Sequence, residues 1–273
     1  MKKFSILLLL LLVSCTKQQQ TTSMQTTQTS IVQEVSVASY NMLRLGHNNG
    51  KDYKTLASVI NNFDLVGAIE VMNQKGMDLT VAELGSNWSY IISERSVGSS
   101  SYKEFFGFFY NDRIELIKTL GFYVGDARFE RPPYGARFKV KDSDFEFNLI
   151  IAHTVFGDSV AERIAETNNF GLVYAYFESL TGNQHSTIIA GDFNLENIAE
   201  FNELIDMGVS EIATVGKSTI GVNGPVSDYD HMFISEQLRE KIIESNVLYW
   251  TSDWITTKKT VSDHFPVYVK FKL

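Results

Sequence analysis

Apolar and polar positions alternate in two different rhythms along this chain. Val35 to Asn41 alternates with period two, as a strand with two distinct faces does, and ends on a polar residue. Tyr53 to Phe63 has helical spacing, and Leu65 to Val71 is a short apolar strand with Glu70 near its end. Phe105 to Tyr110 and Phe145 to Ala152 are strand-like, the second running into His153. Ser159 to Leu180 places Ile164, Leu172, Tyr176 and Leu180 at multiples of four, which predicts one helix with a single apolar face. Ser186 to Ala190 reads as a buried strand that delivers Gly191 and Asp192, and Asp228 to Ile234 and Phe265 to Leu273 complete the strands. Strands outnumber helices, there is no internal repeat, and polar residues of chemical interest stand at strand ends. Two sheets packed face to face with helices outside would gather such ends along one rim. Spacing alone does not choose that arrangement over a doubly wound sheet.

The first residues follow a different pattern. Lys2 and Lys3 precede the apolar run Ile6 to Val13, which is too short for a membrane-spanning helix but has the length of a signal-peptide core. It closes in Leu12-Val13-Ser14-Cys15, which resembles the lipobox of bacterial lipoproteins. That resemblance implies cleavage before Cys15, a diacylglycerol on its thiol, and an extracytoplasmic protein anchored to the cell envelope. Thr16 after the cysteine points to the outer membrane if the organism has one. Thr16 to Ser30 is nearly all Thr, Gln and Ser, too poor in apolar residues to offset the entropy of ordering, and reads as a tether. The expected division is a signal over 1–14, the lipidated cysteine and tether over 15–33, and one domain over 34–273.

Composition narrows the chemistry. Cys15 is the only cysteine, which excludes a disulfide framework and a cysteine-rich zinc site. The net charge of −8 falls to −10 once Lys2 and Lys3 leave with the signal. A protein that grips long stretches of nucleic acid through counterion release would be basic. A small site that meets one phosphate through a metal and a few cations remains compatible with this charge.

Six segments carry candidate chemistry. They are Ser39-Tyr40-Asn41-Met42, Ile69-Glu70-Val71, Tyr102-Lys103-Glu104, Ala152-His153-Thr154, Gly191-Asp192-Phe193-Asn194, and a C-terminal set with Asp228-Tyr229-Asp230-His231 and Ser262-Asp263-His264-Phe265-Pro266. In this order they resemble the endonuclease/exonuclease/phosphatase superfamily, over roughly Val35 to Leu273. Gly191-Asp192-Phe193-Asn194 and Ser262-Asp263-His264 in sequence are the strongest of them. The stretch around Glu104 and the helix entry from His153 to Glu162 look most like deoxyribonuclease I. The resemblance implies an α/β fold, a four-layered α/β sandwich of two packed mixed β-sheets flanked by helices.

It also implies roles. Glu70 would be the main ligand of Mg²⁺ (Mn²⁺ or Ca²⁺ as alternatives), with Asn41 and Asp263 beside it; a hard oxygen ligand suits an ion that keeps most of its waters. Asp192 and Asn194 would face the attacking water and the phosphate. Glu104 would pair with His153 and Asp230 with His264, each carboxylate fixing a tautomer and stabilising the imidazolium. His264 is taken as base toward water and His153 as acid toward the leaving oxygen, although the roles can be exchanged. Arg131 and Tyr102 are candidate substrate contacts; a structural salt bridge for Arg131 and a core position for Tyr102 are about as well supported. His47, His185 and His231 read as ordinary surface or satisfied core histidines, with His231 pointing away from Asp230 across the strand.

The expected activity is a metal-dependent phosphodiesterase, an endonuclease of extracellular DNA or RNA, acting as a monomer. The rivals are a phosphatase or phospholipid phosphodiesterase of the same superfamily, and a non-catalytic envelope lipoprotein. The last would tolerate a broken catalytic set, whereas this one is complete. Two departures concern duplex DNA: Ile69 replaces a glutamine often found before the metal-binding glutamate, and Met72 stands where deoxyribonuclease I carries a groove-reading arginine.

Overall fold

The computed structural model describes residues 33–47, 50–196, 201–211 and 216–273. The expected signal, Cys15 and the tether up to residue 32 lie outside them. In chain order the first elements are β1 (Glu34–Leu45), α1 (Tyr53–Ile60), β2 (Leu65–Val71), α2 (Gln74–Leu84), β3 (Trp88–Ile92), β4 (Val97–Gly98) and β5 (Lys103–Asn111). Next come β6 (Ile114–Phe122), β7 (Tyr134–Val140), β8 (Glu146–His153), α3 (Val160–Thr167), α4 (Phe170–Ser179) and β9 (Thr187–Asp192). The last are α5 (Asn202–Asp206), β10 (Val209–Glu211), β11 (Asp230–Ser235), α6 (Glu236–Arg239), β12 (Ile242–Val247), α7 (Trp254–Thr260) and β13 (Val267–Lys272).

The strands form two sheets. One runs β12-β13-β1-β2-β5-β3, with β4 on β5; the other runs β10-β11-β9-β8-β7-β6. Each is mixed, because β1 pairs in parallel with β2, and β8 with β9, while their other neighbours are antiparallel. The alternation along β1 explains the layering. Val35 and Val37 enter the core between the sheets, facing Leu149, Ile151 and Ile188, whereas Ala38, Tyr40 and Met42 turn to Leu56, Val59 and Ile60 of α1. On the far side, Ile150, Ala152 and Ile189 pack against Phe170, Val173 and Phe177 of α4. Three apolar layers therefore separate four layers of structure, the α/β sandwich expected from the sequence.

The long helix expected from Ser159 to Leu180 is two helices. Asn169 Nδ2 bonds the carbonyl of Ala165 at 2.9 Å, the kind of side-chain bond to backbone that competes with helix continuation. The break shifts the helical phase. Leu172 and Leu180, placed on the buried face by the spacing, are exposed, and Phe170, Val173, Tyr174 and Phe177 are buried instead.

Candidate active site

Strand register assembles the first half of the site. The parallel pairing of β8 and β9 sets His153 beside Asp192, and the antiparallel pairing of β9 and β11 sets Asp230 on the other side of Asp192. Gly191 must lack a side chain, since a Cβ there would lie 1.9 Å from the carbonyl oxygen of Ala152. In the other sheet the pairing of β1 with β2 shifts after Asn41, and that of β2 with β5 shifts between Ala68 and Val71. Glu70 sits in both irregularities with φ 58°, so the bulge re-aims its carboxylate out of the sheet alternation. Leu43 (φ 42°), Arg44 (φ 53°) and Asn194 (φ 50°) share this left-handed conformation. For residues other than glycine it costs of order 1 kcal/mol or more and concentrates at functional sites.

These elements border a cavity of about 530 Å³. Glu70, Tyr102, Arg131, His153, Asp192, Asn194, Asp263 and His264 line it, while Asn41, Glu104 and Asp230 are buried behind them. His153 Nδ1 donates to both Glu104 oxygens at 2.9 and 3.0 Å, and His264 Nδ1 donates to Asp230 Oδ2 at 2.7 Å. Carboxylates only accept, so each ring presents Nε2 to the cavity. Both Nε2 atoms converge on one oxygen, Asp192 Oδ2, at 3.8 Å from His153 and 3.6 Å from His264. Asn41 Nδ2 reaches the same oxygen at 3.1 Å and Glu70 Oε1 at 3.1 Å. Each of these pairs, Asn41–Asp192, Glu104–His153 and Asp230–His264, takes one member from each side of the sandwich.

Electrostatics favours charged imidazoles. Burial pulls the His153 pKa down, but the charge and hydrogen bond of Glu104, with Asp192, leave it raised. Burial likewise opposes the charge on His264, yet Asp230 and Asp192 lift its pKa to about 10. Tyr102 is held neutral by burial and by Glu70 and Glu104. Its ring lies 5.5 Å from the Arg44 guanidinium, so a cation already covers part of the ring considered for stacking on substrate. Arg131 donates to the carbonyls of His153 (2.8 Å) and Thr154 (2.7 Å) and to Glu130 (3.0 Å), which makes it a buttress of the His153 loop. Asn194 donates to Thr154 O at 3.0 Å, and its backbone N–H holds Asp192 Oδ1 at 2.9 Å. His231 bonds Leu195 O among Phe193, Phe201 and Phe233, as a satisfied core histidine should.

Two groupings have the donors for a divalent cation. Asp192, Asp230 and His264 bring ligand atoms within 4.8 Å of one another. In that group, however, His264 Nδ1 is engaged by a hydrogen bond to Asp230 Oδ2 at 2.7 Å and its Nε2 faces Asp192 at 3.6 Å, so the ring's two nitrogens are directed at carboxylates. Glu70 and Asp263 are oxygen donors on the open cavity, the set that suits Mg²⁺. Glu70 is steadied from behind by Asn41 and by Arg44 N (3.1 Å to Oε2). Beside it the Tyr102 hydroxyl is close enough to Glu70 for that carboxylate to help hold it neutral, which leaves Glu70 as the charged oxygen donor there.

No family model matches the chain. A deoxyribonuclease of Thioalkalivibrio is 26% identical over 265 residues, which cover 89% of this chain and 73% of the relative. An endonuclease/exonuclease/phosphatase family protein of Bacteroides thetaiotaomicron superposes with TM-score 0.67 over 88% of this chain and 99% of its own, at 22% identity. The fold is that of the endonuclease/exonuclease/phosphatase proteins. A mannosyl-6-phosphatase of the same Bacteroides species (TM-score 0.66, 22% identity, 86% and 98% covered) shares it. So does Danio rerio TDP2 complexed with a single-strand DNA product (TM-score 0.60, 15% identity, 88% and 99% covered).

Within this endonuclease/exonuclease/phosphatase fold, several supporting residues had no role assigned from the sequence. Ser218 Oγ donates to Asp230 Oδ2 (2.6 Å), and Ser262 Oγ ties the His264 loop to Asn41 O (2.6 Å). Lys51 Nζ donates to the carbonyls of Met42 (2.9 Å), Leu43 (2.8 Å) and Val261 (2.7 Å), joining the left-handed stretch near the end of β1 to the loop carrying Asp263 and His264. Burial lowers the Lys51 pKa to about 8, against the pull of Asp263 and Glu70, so the ammonium remains largely charged at neutral pH. Lys51→Met strands three carbonyls, and we expect a loss of about 2–4 kcal/mol, from the usual worth of hydrogen bonds to charged groups. Urea denaturation checks this: an unchanged midpoint would show that the clamp is energetically idle.

Proposed function

We propose that the protein is a metal-dependent phosphodiesterase that hydrolyses nucleic acid outside the cell, held to the envelope by lipid on Cys15. The observation that carries this reading is the convergence of two carboxylate-backed imidazoles on Asp192, beside the oxygen donors Glu70 and Asp263. In-line attack on a phosphodiester needs a proton taken from water and another given to the leaving oxygen, on opposite sides of one phosphorus. Two Nε2 atoms flanking one carboxylate match that demand. Asp192, fixed by Asn41 and by the backbone of Asn194, orients the water. The carboxylates favour both imidazoles charged, so the ring that acts as base must first be neutral, a state that a cation held on Glu70 and Asp263 would favour; in that form His264 receives the proton and the imidazolium of His153 supplies the other, or the reverse. Glu70 and Asp263 would hold the cation, which supplies charge neutralisation at the phosphoryl oxygens.

A nucleic-acid substrate is supported by the similarity to the Thioalkalivibrio deoxyribonuclease. The likeness to the mannosyl-6-phosphatase favours a second reading, a sugar-phosphate monoesterase. One assay separates them: full-length protein in detergent with single-stranded DNA, plasmid, RNA, mannose 6-phosphate and sphingomyelin, each with Mg²⁺ and with chelator. Metal-dependent cleavage of the nucleic acids supports the first reading, and turnover confined to mannose 6-phosphate replaces it with the second.

The anchor has its own test. Cys15→Ser should move the protein from the detergent phase to the aqueous phase on Triton X-114 partition, because the thiol is the proposed acylation site. Wild-type protein found wholly in the aqueous phase would remove the lipid from the proposal.

A further inference from the structure

Among the described residues only two Phe, Tyr or Trp side chains are exposed, Phe156 at 57% and Tyr249 at 45%, and of these only Phe156 lines the active cavity. Single exposed apolar residues are common, but this one stands at the rim of the site, where a substrate covering the ring would recover part of the roughly 2 kcal/mol that its exposure forgoes. The ring stands on a rigid support. Val155 N donates to the buried Glu166 carboxylate at 2.6 Å, and Arg163 Nε donates to the carbonyl of Phe156 at 2.6 Å. Arg163 also donates to Asn194 O at 2.9 Å and lays its guanidinium over one face of the ring, 4.0 Å from the centroid, so the opposite face is the one left for a substrate. Gly157, in the left-handed conformation, turns the chain so tightly that a Cβ would come within 2.4 Å of Glu162. Loop and ring are thus fixed before any substrate arrives.

We propose that Phe156 is a stacking platform for the nucleobase attached on the His153 side of the scissile phosphate. The inference rests on the nucleic-acid reading above and deepens it. Phe156 lines the same cavity as His153 and His264 and follows His153 by three residues, which places the ring within reach of a nucleoside that flanks a phosphate held at the two imidazoles. A flat base gains by stacking on an aromatic face without regard to its identity, and Arg163 beside the ring adds positive charge that suits a polyanion. This accounts for how a protein of net charge −8 holds a strand: it grips one base and one phosphate. It predicts preference for unpaired bases, since a base within a duplex has both faces occupied.

The test uses full-length protein in detergent and short single strands with one cleavable phosphodiester. In each strand one base beside that linkage is present or replaced by an abasic tetrahydrofuran. Wild type should prefer the strand with the base by about 10-fold in KM on one side of the phosphate only, the scale of stacking on an aromatic side chain. Phe156→Ala should shrink that preference to less than about 2-fold, and Phe156→Trp should keep it. If Phe156→Ala retains the wild-type preference, or wild type cleaves both strands with no preference, the platform is wrong while the nuclease reading stands. If wild type cleaves neither strand but hydrolyses mannose 6-phosphate, the nuclease reading falls and the platform falls with it.

Discussion

Replacing Glu70 by glutamine should lower kcat by about 10³-fold or more, the loss of roughly 4 kcal/mol of transition-state stabilisation when a metal's charge is displaced. The argument starts from the backbone. Glu70 occupies a left-handed conformation inside a strand, and its two oxygens are each steadied by one donor, Asn41 Nδ2 and Arg44 N. A fold does not place a carboxylate in that conformation for stability, because a left-handed residue other than glycine costs about 1–2 kcal/mol. Glu70→Gly separates the two contributions. It removes the carboxylate and relieves the left-handed cost, while glycine's extra unfolded-state entropy takes back about 0.5–1 kcal/mol. Activity should disappear with folding stability unchanged to within about 1 kcal/mol. Chelator on wild type should reproduce the loss of activity, and added Mg²⁺ should restore wild type but neither variant. Full turnover of wild type in excess chelator would overturn the metal assignment, and a Glu70→Gln enzyme that works normally would overturn the ligand.

What the sequence made legible was the set of strand ends, because period-two alternation followed by a polar residue marks where a buried strand delivers a side chain to the rim. Asn41, His153 and Asp192 were placed that way, and the strands carrying them are β1, β8 and β9. Their partners were not legible from spacing. Glu104 and His153 lie 49 residues apart and Asp230 and His264 lie 34 apart, each pair spanning the sandwich, so only family resemblance suggested them. The strand β6 was not legible either: it lies at the edge of its sheet with only its two ends buried, so its apolar residues show no clean period-two alternation. Lys51 and Phe156 escaped for a different reason. Each sits in a loop, and its importance lies in three carbonyls or one exposed face that no one-dimensional pattern encodes. The break between α3 and α4 shows the reverse error: a periodicity sustained across Asn168 and Asn169 suggested one face where tertiary packing uses another.

Removing either imidazole should lower kcat by about 10²–10⁴-fold, the usual worth of a positioned acid or base. Alanine is a poor probe here, because Glu104 and Asp230 are buried behind the rings. His153→Ala leaves the Glu104 carboxylate unpaired, and breaking a buried pair in that way costs about 3–5 kcal/mol, enough to confuse lost folding with lost chemistry. Asparagine avoids this. Its Nδ2 can occupy the position of the ring Nδ1 and donate to Glu104 or Asp230, yet it has nothing in the place of Nε2, the atom that faces Asp192 at 3.8 Å in His153 and 3.6 Å in His264. His153→Asn and His264→Asn should therefore melt near wild type and still lose the full catalytic factor. The double variant should lose far less than the product of the two, since both rings serve one proton circuit through the same phosphate and residues that act as a unit are not additive. A substrate with a good leaving group, such as a p-nitrophenyl phosphodiester, distinguishes the roles. A nitrophenolate departs without protonation, so the variant that lacks the acid should recover on it and the variant that lacks the base should not. Recovery by both, or near-wild-type rates on natural linkages in either single variant, would mean that the imidazoles do not carry the proton transfers.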